Sequence, residues 1–221
     1  MQEGVYSDGQ TLSKEAFVNT KNVKIFFIFF LCFLLFSCID IDTEIIFKQN
    51  LTGEVLIRYS VSKAAINMGK IDRHDNFLPL PIEEQRYHEL AANIDGLKLI
   101  SFRKQETEND INITVRYEFR NIEALNAIVS NSNDKKIEVQ KRGERTYYTQ
   151  RISANNQAIS EETIKLAQAI FGNRTVSFKV TAPQNISTVN SGTIAGRSAQ
   201  VSYNLPQLLS STDNVTWEVS W

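Results

Sequence analysis

Two stretches near the start of the polar part of the chain, EIIFKQ and GEVLIRYSVS, alternate apolar with polar side chains, and the break at Leu51-Thr52-Gly53 makes them a β-hairpin. The same two-residue period returns in LKLISFRKQ and INITVRYEF across ETEND, and in KKIEVQK and ERTYYTQRIS across Arg142-Gly143. Three antiparallel hairpins are predicted. Between them Tyr87, Leu90, Ala91 and Ile94 fall at helical spacing, which predicts a helix over 82–94 ending on Gly96. A second helix is expected from Ser160, whose hydroxyl can cap it while Glu161 and Glu162 favour the positive end of its dipole, to Gly172. Short helical turns are expected at 122–129, after Asn121, and at 206–209.

Aligning these elements exposes an echo. LAANIDGLKLISF (90–102) and LAQAIFGNRTVSF (166–178) share leucine, alanine, glycine, serine and phenylalanine at one offset. Downstream, Val115-Arg116-Tyr117 answers Val201-Ser202-Tyr203, and Ile137-Glu138-Val139 answers Trp217-Glu218-Val219. The expected fold class is α+β, with antiparallel sheets, two main helices and two pseudo-repeated ββαββα units. A glycine cap followed by an alternating strand is common enough for convergence to give the same letters. Residues 63–81, with weak periodicity and two prolines, read as a long connection.

The most apolar run, Ile25 to Phe36, is about a dozen residues, short of the roughly 20 needed to cross a bilayer as a helix. Lys21 and Lys24 precede it and Ser37-Cys38 follow, the order of a secretory signal peptide. Leu35-Phe36-Ser37-Cys38 resembles the lipobox of bacterial lipoproteins, in which the cysteine takes a diacylglycerol before the signal is removed; Phe36 departs from the usual smaller residue. The expected organisation is an over-extended gene start over 1–20, a lipoprotein signal peptide over 21–37, an acylated Cys38 with a short tether to residue 43, and one α+β domain over 44–221. Stable anchoring takes at least two acyl chains, which a di- or triacylated Cys38 supplies.

The mature chain then has 184 residues, enough for one substantial domain, and keeps the formal net charge of −1. So balanced a chain has no bulk basic field, which argues against nucleic acid as a partner. Cys32 goes with the signal and Cys38 to lipid, leaving no thiol for a disulfide, a nucleophile or a metal. His74 between Asp72 and Asp75 lacks further ligands at a diagnostic spacing, and His88 four residues after Glu84 reads as a helix-surface pair. No catalytic, phosphate-binding or dinucleotide motif is present, so no catalytic residue, metal or cofactor is expected. NSGTIAGRS reads as a hairpin loop. Tyr147 and Tyr148 should face opposite sides of a strand and Trp217 and Trp221 the same side; these four are the candidates for lining an apolar ligand cavity, against the plainer reading of core residues.

The lipobox, the hairpin TEIIFKQNLTGEVLIRYSVS, the segment VTAPQNISTVNSGTIAGRSAQVSYNLPQLL and the ending VTWEVSW together resemble the LppM-type envelope lipoproteins of bacteria. The resemblance implies an extracytoplasmic α+β domain held at a membrane, with lipid or glycolipid handling as a role. The expectation is therefore a non-catalytic lipoprotein of the cell envelope, facing the periplasm or the exterior, that binds an envelope lipid, glycolipid or protein. The alternative is a surface-exposed structural or adhesin-type module.

Overall fold

The computed structural model describes residues 41–63, 66, 81–129, 136–153, 175–204, 207–208, 211 and 214–221. All lie in the second of the chain's two compact units, 37–221. The signal segment, Cys38, the helix expected over 160–172 and most of the 63–81 connection fall outside the described residues.

Eleven strands and two helices are described, in mostly antiparallel sheets, the α+β class expected. The first hairpin joins β1 (Ile41–Phe47) to β2 (Gly53–Ser62), with Ile45 opposite Val55. Its turn is Lys48–Thr52, closed by Lys48 N–H on the Thr52 carbonyl at 2.8 Å, and Leu51 carries the positive φ of 62°. Gly53 thus belongs to the strand and not, as the sequence suggests, to the turn. Its function is space: it sits between Phe47 and Phe119 in the ladder, and an added Cβ would fall on the Ile46 carbonyl oxygen and come within 2.9 Å of the Phe119 ring.

Helix α1 (Glu84–Asn93) ends on Ile94, and the left-handed Gly96 (φ 80°) turns the chain into β3 (Leu97–Glu106). β3 pairs with β4 (Asp110–Phe119) across a turn in which Asp110 N–H donates to the Thr107 hydroxyl at 3.0 Å. Strict alternation would put Leu97, Leu99 and Ser101 on one face of β3. The ladder slips between Leu99 and Ser101, so Phe102 takes the inward place opposite Val115 and Ile100 is left 46% exposed.

Asn121 caps α2 (Ile122–Val129), accepting from Ala124 N–H at 2.7 Å. The buried Asn126 then holds the start of β5 (Ile137–Arg142). Its amide donates to the Ile137 carbonyl and its oxygen accepts from Ile137 N–H, both at 2.7 Å, as a strand neighbour would. The hairpin from β5 to β6 (Arg145–Ser153) turns on Gly143 (φ 64°) and Glu144.

The rest of the chain supplies β7 (Thr175–Thr181), β8 (Thr188–Val189), β9 (Thr193–Ala195), β10 (Ser198–Asn204) and β11 (Val215–Ser220). NSGTIAGRS therefore contains a short strand as well as a loop. One sheet runs β3-β4-β2-β1-β7-β10-β9 and the other β5-β6-β11-β8. β1 and β7 are parallel, a non-local pairing that local periodicity does not predict.

The echoed segments behave in two ways. Ile137, Glu138 and Val139 lie beside Gln150, Thr149 and Tyr148 of β6, and Trp217, Glu218 and Val219 lie beside the same three residues on its other side. The hairpins do not match in position. β4 is the inner strand of its pair, against β2, whereas its counterpart β10 is the outer one, with β7 against β1. The recurring order of elements is thus not a recurring arrangement in the sheet.

One core spans both sheets. The Phe47 ring lies 5.7 Å from Phe119, 5.8 Å from Tyr148 and 5.7 Å from Trp221, and Tyr148 lies 6.0 Å edge-on from Trp217. Replacing Gly53 by alanine should destabilise the domain by about 3 kcal/mol or more, because backbone must move. Gly143→Ala, with open space around its Cβ position, should cost about 1–2 kcal/mol from the left-handed φ alone. Urea midpoints of the two variants check the order.

Candidate functional site

The four aromatic candidates are drawn together by sheet pairing, and three lie inside. Tyr148 and Trp217 are fully buried and Trp221 is buried beside them. Their polar atoms are used internally: Tyr148 donates to Gln150 Oε1 at 2.6 Å, and Trp217 Nε1 donates to the Ser191 carbonyl at 2.9 Å. Their ring faces are taken by one another and by Phe47. Tyr147 points to the opposite face of its sheet, where the guanidinium of Arg142 lies 5.3 Å over its ring.

His88 Nε2 and Glu84 Oε1 are 3.5 Å apart on the exposed face of α1, the surface pair that the spacing predicts. His74, Asp72, Asp75 and the lipobox residues Leu35, Phe36, Ser37 and Cys38 lie outside the described residues. Among the described residues no group of three or more histidine, cysteine and acidic side chains comes together as a metal site, and no helix is long and apolar enough to cross a membrane.

A second aromatic group, whose members the sequence places on separate elements without joining them, ties α1 to the larger sheet. The hydroxyls of Tyr59 and Tyr87 are 2.8 Å apart and both contact the Pro81 carbonyl. Tyr117 donates to the Tyr87 carbonyl at 3.3 Å. The signal in the sequence is that all three tyrosines stand on apolar faces, where a phenol must find an internal partner. Burial raises the pKa of all three, that of Tyr87 to about 12. The fully buried Tyr148 is shifted up for the same reason.

The outer face of the seven-stranded sheet is polar. Glu44 lies between Lys179 at 2.9 Å and Arg58 at 3.7 Å, Arg116 reaches Glu54 at 3.5 Å, and the hydroxyls of Ser177 and Ser202 meet at 2.8 Å. An open cleft of about 520 Å³ lies at the C-terminal end of α1, with Ala91, Ile94, Asp95, Gly96, Lys98 and Arg120 among its lining residues. Its two cations stand where helix carbonyls already favour positive charge. The cleft therefore needs no ligand to explain its composition.

No protein-family model matches the chain, and no curated protein sequence matches it either. Among solved structures, the folded domain of the LppM protein of Mycobacterium tuberculosis, determined by NMR, is similar at a TM-score of 0.49 and 8% identity, over 82% of this chain and 88% of that one. This is a distant likeness; it carries no argument about function and shows neither a lipobox nor family membership.

The tyrosines generate a pH prediction. Tyr87 ionises near 10 when unfolded and at about 12 in the fold, so the folded state holds its proton more tightly. Its contribution is intact below pH 10 and is lost as pH rises from there to about 12. Melting temperatures measured across that range should fall less steeply for Tyr87→Phe than for the parent chain.

Proposed function

We propose that the chain is a membrane-anchored bacterial lipoprotein whose α+β domain, held outside the cytoplasm by an acylated Cys38, binds an envelope lipid, glycolipid or protein without catalysis. The observation that carries this reading is the junction between the lipobox-like Leu35-Phe36-Ser37-Cys38 and the fold. β1 begins at Ile41, three residues after the cysteine. Three residues reach roughly 10 Å, so an acyl-cysteine would hold the domain almost flush with the lipid surface.

The end of the larger sheet nearest the anchor carries Ile41, Lys63 and the Thr107–Asp110 turn, because β2 runs back toward Ile41 and β4 starts beside the end of β2. Glu106, Glu108 and Asp110 stand there against Lys63 and Lys104, so charge gives this end little pull on an anionic leaflet. Acyl chains must supply the hold. Binding without catalysis accords with the absence of a recognisable catalytic motif in the sequence and with the polar, paired outer face of the sheet.

Intact mass of the membrane-extracted protein tests the reading. The expected mass is that of a chain starting at Cys38 plus acyl groups, with palmitate label incorporated by the parent and not by Cys38→Ala. An unmodified chain that keeps the signal segment 21–37 would overturn it.

A further inference from the structure

The β5–β6 hairpin closes on a pair of like charges. Arg142 and Arg145 are direct partners across the ladder, so their side chains leave the same face of the four-stranded sheet beside the turn. Like charges directly opposite are destabilising, and no carboxylate is within ion-pair distance of either guanidinium among the described residues. Glu144, the acidic residue of the turn itself, is exposed and makes no contact with them of that kind.

Arg142 is nevertheless held in place. Its Nε and Nη2 both donate to Gln140 Oε1, at 3.3 and 2.9 Å, and its guanidinium lies over the Tyr147 ring. Gln140 is turned the right way by Glu138, whose Oε2 accepts from Gln140 Nε2 at 3.4 Å. The remaining donors of Arg142 stay open to solvent beside a second, unpaired arginine. A planar guanidinium fixed on an aromatic face, with spare N–H groups and a neighbouring positive charge, is a fork for a bidentate anion.

We infer that the Arg142–Arg145 pair is a binding site for a phosphate-type dianion, with Gln140 and Tyr147 as positioning residues. Two guanidinium charges match a phosphate carrying two negative charges, whereas a carboxylate would leave one of them uncompensated. Anion binding at this hairpin is independent of the acylation of Cys38. A free phosphate and a phosphomonoester headgroup present the same dianion to it.

The test uses the full chain in neutral detergent, followed by ¹H–¹⁵N NMR while inorganic phosphate is added at constant ionic strength, with chloride as control. The Nε–H signals of Arg142 and Arg145 and the Gly143 amide should shift together and saturate at millimolar phosphate. Arg145→Gln, at an exposed position, should weaken binding about tenfold without lowering the unfolding midpoint, which should rise slightly as the like-charge pair is relieved. Gln140→Ala keeps both charges and frees Arg142, and should weaken binding severalfold. A second titration with water-soluble dihexanoyl phosphatidic acid separates the sources: tighter binding than inorganic phosphate assigns the site to a lipid headgroup, equal or weaker binding to phosphate itself. Shifts that fail to saturate, that chloride reproduces, or that saturate at the same phosphate concentration in Arg145→Gln as in the parent would overturn the proposal.

Discussion

The seat of the Phe47 ring is the constraint on which the two sheets depend. Phe47, Gly53 and Phe119 are successive residues across three strands. With no side chain on the middle one, the two rings meet over it at 5.7 Å in an edge-on arrangement. The same Phe47 ring then reaches across to Tyr148 and Trp221 of the smaller sheet. A side chain at position 53 would push apart the rings that join the sheets, so a single missing Cβ decides both the local ladder and the inter-sheet core. Burial of large aromatic rings, at roughly 25 cal/mol per Å² of apolar surface, makes this contact a principal source of stability.

The hairpins were legible because each is a period-two run bounded by turn residues, and both described helices were legible from spacing and from Gly96 and Asn121. What alternation could not show is where it breaks. The slip at Ile100 exchanges Ser101 for Phe102 on the inner face, and only the pairing with β4 reveals it. The parallel contact of β1 with β7 joins residues more than a hundred positions apart, so no local pattern encodes it. The same holds for the two-residue β8, which exists because β11 is there to pair with it.

The candidate residues were legible in part. Alternation alone placed Tyr147 and Tyr148 on opposite faces, but whether a buried aromatic lines a cavity or fills a core depends on what stands opposite. For Tyr148, Trp217 and Trp221 those neighbours are other rings of this protein. Arg142 and Arg145 passed in the sequence as ordinary residues around a turn. Only the register shows that they are directly opposed, and only side-chain geometry shows that Gln140 holds one of them still.

Asparagine side chains complete the smaller sheet. Asn126 supplies a donor and an acceptor to Ile137, and Asn190 does the same for β11, accepting from Glu218 N–H and donating to the Thr216 carbonyl, both at 2.9 Å. Each primary amide stands in for a peptide group of a neighbouring strand. That substitution ties the sheet to chemical ageing in a way that a backbone ladder is not. Hydrolysis of either amide would exchange its donor for a carboxylate oxygen, and a negative charge would face the Ile137 or Thr216 carbonyl with no change in the length or shape of the side chain. For Asn126, where the exchange would occur in the interior, the start of β5 would be released from α2 by the replacement of one amide NH2 with an oxygen from water, the nitrogen leaving as ammonia.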